Sequence, residues 1–86
     1  EGQYTLAYMY YNGEGTAINK EQAFYWYRRL AEKGYASPQF NIALMYYHGE
    51  GTTMNKKLAA FWMKKSYENG SEGAKEAWDE LELSKY

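Results

Sequence analysis

Among the side chains able to do chemistry, the single histidine, His48, is the first candidate metal ligand. The chain has no cysteine, which excludes a thiolate zinc site, a disulfide framework and a cysteine nucleophile together. A metal ion at His48 would need carboxylates such as Glu14 or Glu50 as its other ligands. Because His48 closes an apolar run of helical spacing, we interpret it as an exposed residue at a helix C-terminus, where a cation is mildly favoured. We therefore predict no metal site.

Four carboxylates cluster near the C-terminus, and paired carboxylates are the groups that hydrolyse glycosidic bonds. These are Glu76, Asp79, Glu80 and Glu82. No aromatic cleft accompanies them in the sequence. We therefore interpret them as the solvated face of a terminal helix.

Two Gly-Glu-Gly turns, at 13–15 and 49–51, could cradle a phosphate through their backbone amides. Neither is followed by the Lys-Ser or Lys-Thr pair that completes a phosphate-binding loop. Each turn instead falls between two helical segments, where glycine ends a helix. The sequence thus predicts no catalytic residue, no cofactor and no enzymatic activity.

The composition describes one small domain. The 86 residues carry ten basic and eleven acidic side chains, a formal charge of -1, and a mean hydropathy of -0.84. This balance gives no strong field for nucleic acid or anionic lipid, so neither is an expected partner. No apolar run approaches the ~20 residues that span a bilayer. The unusual feature is an aromatic content of 20%, mostly tyrosine.

The elements that must position these side chains form a repeat. Residues 3–34 align without gaps to residues 39–70 at a shift of 36, and fifteen of the 32 positions are identical. The identities are concentrated at small, aromatic and turn positions, which are the positions that set packing. A third copy begins near Ala74 and stops after a single helix. The array therefore consists of two repeats and a half.

Each repeat is predicted to contain two helices, A and B. In helix A, Leu6, Ala7 and Tyr10 recur at helical spacing until the first Gly-Glu-Gly turn. Helix B begins at Asn19, which with Gln22 resembles a capping box. An apolar stripe follows and ends before Gly34. The stripe consists of Ala23, Trp26, Tyr27 and Leu30.

The second repeat follows the same scheme. Ser37 and Pro38 are the predicted cap and first residue of its helix A, and Asn55 caps its helix B. Ser71 then caps a last helix with one apolar stripe. That stripe consists of Ala74, Ala77, Trp78 and Leu81. No strand signal remains, so we predict an all-α fold of five helices.

These residues resemble the Sel1-like repeats, which are related to tetratricopeptide repeats. The resemblance rests on LAYMY and IALMYYHG in helix A, the GEGT turn, Trp26-Tyr27 in helix B, and the AEKG ending. It implies a right-handed α-solenoid of antiparallel helix pairs with helices A on the concave face. It also implies an adaptor or scaffold role without chemistry, and it favours an exported or periplasmic location over the cytoplasm.

We expect a single repeat domain over residues 1–86. Repeat 1 covers about 2–35, repeat 2 about 37–71, and a half repeat or cap about 72–86. The last helix has Glu76, Glu80 and Leu83 on its outer face, which is mostly polar as the end of a solenoid requires, whereas the first helix is apolar nearly all round. We therefore expect that the chain is part of a longer array, or that its N-terminal end pairs with a second copy.

A stripe of mostly aromatic residues on helices A lies about 130° from the face toward helix B, so it cannot all be intra-repeat core. It packs between repeats, as a purely structural or assembly segment requires, or it lines a groove that binds a protein or peptide. The predicted partner-binding residues are Tyr4, Tyr8, Tyr11, Asn12, Asn41, Leu44, Tyr47 and His48. In the binding hypothesis, Asn12, Asn41 and His48 lie on the rim.

Overall fold

Five α-helices, each packed against the next, make up the computed structural model, which describes residues 2–86. They are α1 (Gly2–Asn12), α2 (Lys20–Glu32), α3 (Ala36–His48), α4 (Lys56–Glu68) and α5 (Glu72–Glu80), followed by a 3-10 turn at Leu83–Lys85. Residues 2–86 contain no strand. The predicted all-α class is confirmed. No helix in this part of the chain is long and apolar enough to cross a membrane.

Side-chain caps start three of the helices. Asn19 Oδ1 accepts a hydrogen bond from the Gln22 amide at 3.1 Å, and Asn55 Oδ1 accepts one from the Leu58 amide at 3.0 Å. Ser71 Oγ caps α5 in the same way. The three predicted caps are confirmed. The reciprocal hydrogen bond of the predicted capping box is wrong, because the Asn19 amide donates to the Tyr10 carbonyl and not to the Gln22 side chain.

The start of α3 also differs from the prediction. The helix begins at Ala36, with Tyr35 as the preceding cap residue, so Ser37 and Pro38 both lie inside its first turn. A proline is tolerated there because the first-turn amides of a helix have no intrahelical partner to lose. The Ser66 hydroxyl, from α4, donates to the Ala36 carbonyl at 2.7 Å and fixes this end of the helix.

Two apolar clusters hold the helices together. The first joins α1, α2, α3 and α4 through Ala7, Ala23, Tyr27, Ala31, Ile42, Met45, Tyr46 and Ala59. The second joins α3, α4 and the C-terminal segment through Ala43, Ala60, Met63, Ala74 and Leu83. Trp62 packs against both clusters, as expected for a ring placed between repeats. Small residues at the helix contacts let the backbones approach closely, so the aromatic rings fill the space between repeats.

One buried polar side chain links three helices. Gln39 Nε2 donates to the Ala31 carbonyl at the end of α2, and Gln39 Oε1 accepts from Asn69 Nδ2 at the end of α4. Because both ends of the amide are paired, its burial carries little penalty. This link fixes the second repeat against the first.

The C-terminal segment departs from the helix A pattern. Sequence spacing placed Leu83 on the mostly polar outer face of the last helix, yet it is fully buried in the second cluster. The reason is local, because Glu82 adopts a left-handed conformation with φ 52° and redirects the chain after α5. The carboxylates Glu76, Asp79 and Glu80 remain exposed, as predicted.

Candidate functional site

All eight predicted partner-binding residues lie on the first helices of the two repeats. Tyr4, Tyr8, Tyr11 and Asn12 belong to α1, and Asn41, Leu44, Tyr47 and His48 belong to α3. We call the surface that they form the α1/α3 surface. The structure divides these residues into a set used between repeats and a set that remains exposed.

Tyr4 belongs to the set used between repeats. Its hydroxyl accepts a hydrogen bond from Asn41 Nδ2 at 3.2 Å, and its ring meets the Tyr27 ring edge-on at a centroid distance of 5.5 Å. Asn41 is half-buried, and its amide is bonded to α1 because a phenol on the neighbouring repeat is close enough to accept from it. Its role on the rim of a binding groove stays a prediction.

Tyr11 makes a second contact between repeats. Its hydroxyl donates to Glu50 Oε1 at 2.7 Å, and Lys20 Nζ donates to Glu50 Oε2 at 3.3 Å. The Lys20 ammonium also lies 4.4 Å from the centroid of the Tyr11 ring. Glu50, on the Gly-Glu-Gly turn of the second repeat, thus bridges both helices of the first.

The electrostatics of this bridge favour the carboxylate. The hydrogen bond from Tyr11, supported by Lys20, holds the pKa of Glu50 below its ordinary value. Conversely, that hydrogen bond to Glu50, with partial burial, raises the pKa of the Tyr11 hydroxyl. Sequence reasoning weighed Glu50 as a metal ligand and missed this role. The sequence signal is that both Glu50 and Lys20 recur at the 36-residue shift, which marks them as repeat positions without pairing them.

A cavity of about 210 Å³ opens between the two repeats at this surface. Its lining consists of Tyr11, Tyr27, Asn41, Leu44 and Met45. Tyr27 is 3% exposed, and burial together with the nearby phenols of Tyr4, Tyr11 and Tyr8 raises its pKa. The sequence assigned Tyr27 to the core of the helix pair, and the structure shows that it also forms the wall of this cavity.

The exposed set comprises Tyr8, Asn12 and His48. Tyr8 is 47% exposed, and its phenol lies close enough to Tyr27 to affect that residue's pKa. Asn12 Nδ2 donates to the Tyr8 carbonyl at 3.1 Å, so the exposed Asn12 side chain pairs with a carbonyl of the last turn of α1. The His48 ring contacts the half-buried Tyr47 ring edge-on at 5.2 Å. The exposed set thus lies outside the cavity lining, with Tyr8 near the wall that Tyr27 forms.

The other candidate chemistries lack a constellation of groups. Across residues 2–86, no group of three His, Asp or Glu side chains is arranged to hold a metal ion. An open cavity of about 550 Å³ lies between α2 and the second Gly-Glu-Gly turn, and the basic residue that lines it is Lys20. Lys20 is already paired with Glu50, so the charge available to a phosphate there is neutralised.

The chain matches a family model and is similar to solved structures. The family model of the Sel1 repeat matches residues 1–35 and 39–71. A Sel1 repeat protein from Oxalobacter formigenes aligns with a TM-score of 0.88 and 31% identity over 91% of this chain and 59% of that one. A protective antigen present in uropathogenic Escherichia coli strains, which displays a Sel1-like repeat fold, aligns with a TM-score of 0.81 and 33% identity over 84% of this chain and 15% of that one.

No curated protein matches the chain. Of the two solved neighbours, the chain spans less than two thirds of either one's length. Both the sequence match over two repeats and the solenoid fold of the neighbours confirm the resemblance drawn from the repeat motifs. This chain belongs to the Sel1 repeat family.

Proposed function

We propose that this chain is a non-catalytic interaction module that binds a protein or an extended peptide on the α1/α3 surface. Sel1 repeats typically serve as protein–protein interaction modules and are generally non-catalytic. The observation that carries the proposal is Tyr8, a half-exposed ring near Tyr27, and Tyr27 lines the cavity between the two repeats. An adaptor or scaffold role in an exported or periplasmic compartment is part of this proposal.

The chemistry of the surface supports it. Tyrosine combines apolar area with a polar tip and loses little conformational freedom on binding, so it is common in interfaces. The hydroxyls of Tyr4 and Tyr11 are already bonded within the chain, which holds the cavity walls in place before a partner arrives. Binding to a preorganised surface loses less conformational entropy than binding to a mobile one. Tyr8 is free of such bonds among the described residues, so its ring can turn onto a partner.

A matched pair of tyrosines tests this proposal. Tyr25 on α2 is 51% exposed, against 47% for Tyr8, but it lies away from the α1/α3 surface and contacts Trp26 and Arg29 of its own helix. Peptides selected from a random library on the intact chain should bind Tyr8→Ala about tenfold more weakly, and Tyr25→Ala with unchanged affinity. Equal effects of the two substitutions would contradict the proposal.

A second candidate function is assembly. Gln3 is the repeat equivalent of Gln39, yet Gln3 Oε1 is buried without a hydrogen bond among the described residues. In the second repeat, the equivalent oxygen accepts from Asn69 of the same repeat, whose counterpart in the first repeat is Lys33, while the amide nitrogen donates to the preceding repeat. A further repeat, or a second copy, packed against α1 would offer Gln3 the inter-repeat half of this link, which is a carbonyl for its amide nitrogen.

Concentration dependence distinguishes the two candidates. Association that stabilises the folded chain raises its thermal midpoint with concentration, whereas a monomer's midpoint stays constant. Light scattering across a concentration series, with unfolding measured at each concentration, reports both quantities. A dimer whose midpoint rises supports assembly through the N-terminal end. A monomer at all concentrations leaves the exposed Tyr8 available for a different partner.

A further inference from the structure

The contact between Tyr11, Lys20 and Glu50 has a counterpart one repeat later. A shift of 36 residues carries Tyr11 onto Tyr47 and Lys20 onto Lys56, with both identities kept. In the first repeat, the phenol and the ammonium each donate to a different oxygen of one carboxylate, at 2.7 and 3.3 Å. The first pair thus shows how this arrangement binds a carboxylate.

The second pair has the same arrangement without the carboxylate. Lys56 Nζ lies 4.9 Å from the centroid of the Tyr47 ring, against 4.4 Å in the first repeat. Within residues 2–86, no acidic side chain forms an ion pair with Lys56 or accepts a hydrogen bond from Tyr47. The repeat equivalent of Glu50 is position 86, where the chain has Tyr86, and the Tyr86 ring centroid is 5.9 Å from Lys56 Nζ.

We propose that Tyr47 and Lys56 form an open site for the carboxylate of an aspartate or glutamate side chain on the bound partner. The inference rests on the proposed function, because Tyr47 belongs to the α1/α3 surface. It adds the partner's chemistry, which is an acidic segment whose carboxylate bonds to Tyr47 while its neighbours contact Tyr8.

The surrounding charges favour such a ligand. Besides Lys56, Lys85 lies on this side of the protein, with its Nζ 5.6 Å from the centroid of the Tyr86 ring. Glu82, which is exposed, pairs with Lys85 at 3.3 Å, and Glu50 pairs with Lys20. The ammonium of Lys56 therefore remains uncompensated, and a hydrogen bond to a charged group is stronger than one between neutral groups.

Peptide binding tests the inference in the assembled surface. Peptides selected on the intact chain should be enriched in Asp and Glu. Replacing the acidic residue of such a peptide by Asn or Gln should weaken its binding about tenfold. Lys56→Gln and Tyr47→Phe should weaken the acidic peptide to a similar extent and leave the amide peptide unchanged. Lys57→Gln is the control, since Lys57 is an exposed neighbour with the same charge. Peptides that depend on Tyr8 but not on Lys56 would overturn the carboxylate site and leave the proposed function intact.

A second experiment decides the inference even if no peptide binds. Tyr86→Glu places a carboxylate at the repeat equivalent of Glu50, and Tyr86→Gln is its isosteric control. The pKa of the introduced glutamate, followed by carboxyl 13C NMR, should fall below the ordinary glutamate value and return to it when Lys56→Gln is added. A carboxylate whose pKa does not respond to Lys56→Gln would overturn the inference.

Discussion

Gly51 lies where the second repeat touches the first, and its replacement by alanine tests how rigid that contact is. Gly51 has φ 70°, and a Cβ there would overlap the backbone carbonyl of Lys20, lie 2.6 Å from the Lys20 carbonyl carbon and lie 3.1 Å from the Glu21 amide nitrogen. Gly15, its equivalent in the first repeat, has φ 71°, and its Cβ would meet the Met9 methyl carbon at 3.3 Å. The two glycines share their backbone conformation and differ in their surroundings.

The difference between the two alanine variants isolates the contact between repeats. Placing an L-residue at positive φ costs about 1–2 kcal/mol, and both variants bear this cost. At position 15 the Met9 methyl is the end of a flexible side chain and can move aside. At position 51 the obstacle is the first residue of α2, whose backbone cannot rotate away, and overpacking of this kind costs about 1–3 kcal/mol more. We therefore expect Gly51→Ala to lower the free energy of unfolding by about 2–5 kcal/mol, against about 1–2 kcal/mol for Gly15→Ala.

Urea unfolding followed by far-ultraviolet circular dichroism measures both values. The free energy of unfolding should fall with urea concentration at the same slope in both variants, since the surface exposed on unfolding does not change. If the two variants lose equal stability, the repeats separate enough to admit a methyl group, and the account of a rigid contact between them is refuted. If Gly51→Ala does not fold in buffer alone, both variants can be unfolded with urea in added sucrose, which favours the folded state. Their urea midpoints under that condition still show which variant is less stable.

Three further predictions follow from side chains that the structure pairs or buries. Tyr11→Phe should lower the free energy of unfolding at pH 7 by about 1 kcal/mol, because a partly exposed hydrogen bond to a carboxylate is lost. Since the folded pKa of Glu50 is lowered, its contribution is present above its ordinary value of 4.5 and is lost as the pH falls through the folded pKa. Urea titrations from pH 2 to 7 should therefore show that the free energy of unfolding falls less on acidification in Tyr11→Phe than in the parent chain. The same fall in both proteins would contradict the bridge. Burial raises the pKa of Tyr27 above its ordinary value of 10.0, so above that pH the unfolded chain ionises first and the free energy of unfolding falls by up to about 1.4 kcal/mol per pH unit. Tyr27→Phe should remove that part of the alkaline slope, and the same slope in both proteins would mean that the buried phenol ionises freely. Ser71→Ala should cost about 1 kcal/mol in urea unfolding by removing the cap of α5, while Ser84→Ala, an exposed serine in the C-terminal turn, should cost nothing measurable.

Local chemistry explains the parts of this fold that the sequence predicts. Asn19, Asn55 and Ser71 each cap a helix through an amide three residues ahead, so the information lies within one turn of the chain. The repeat shift then locates every helix pair, because equivalent residues meet equivalent neighbours. Pro38 was misleading for the same local reason, since it is compatible with more than one position in the first turn of a helix.

The contacts between repeats could not be read in this way. Tyr11 and Glu50 are 39 residues apart, and Lys20 and Glu50 are 30 apart, so no local spacing connects them. The angular position of the tyrosine stripe excludes it from the intra-repeat core, but it does not distinguish Tyr4, which packs between repeats, from Tyr8, which remains exposed. That distinction depends on how far one repeat rotates relative to the next, which is a tertiary property.

A repeat copies its donor groups along with its helices, and this has a consequence for recognition. Tyr11 and Lys20 hold the neighbouring repeat because that repeat brings Glu50 to them. Tyr47 and Lys56 are the same two groups, and position 86 brings them an aromatic ring in place of a carboxylate. The redirected C-terminal segment, with Tyr86 in place of a carboxylate, thus turns a contact that stabilises the array into a surface with unmatched donors. The same two side-chain types would then hold the repeats together in the first repeat and bind a partner in the second. The difference is whether the carboxylate comes from the chain itself or from the partner.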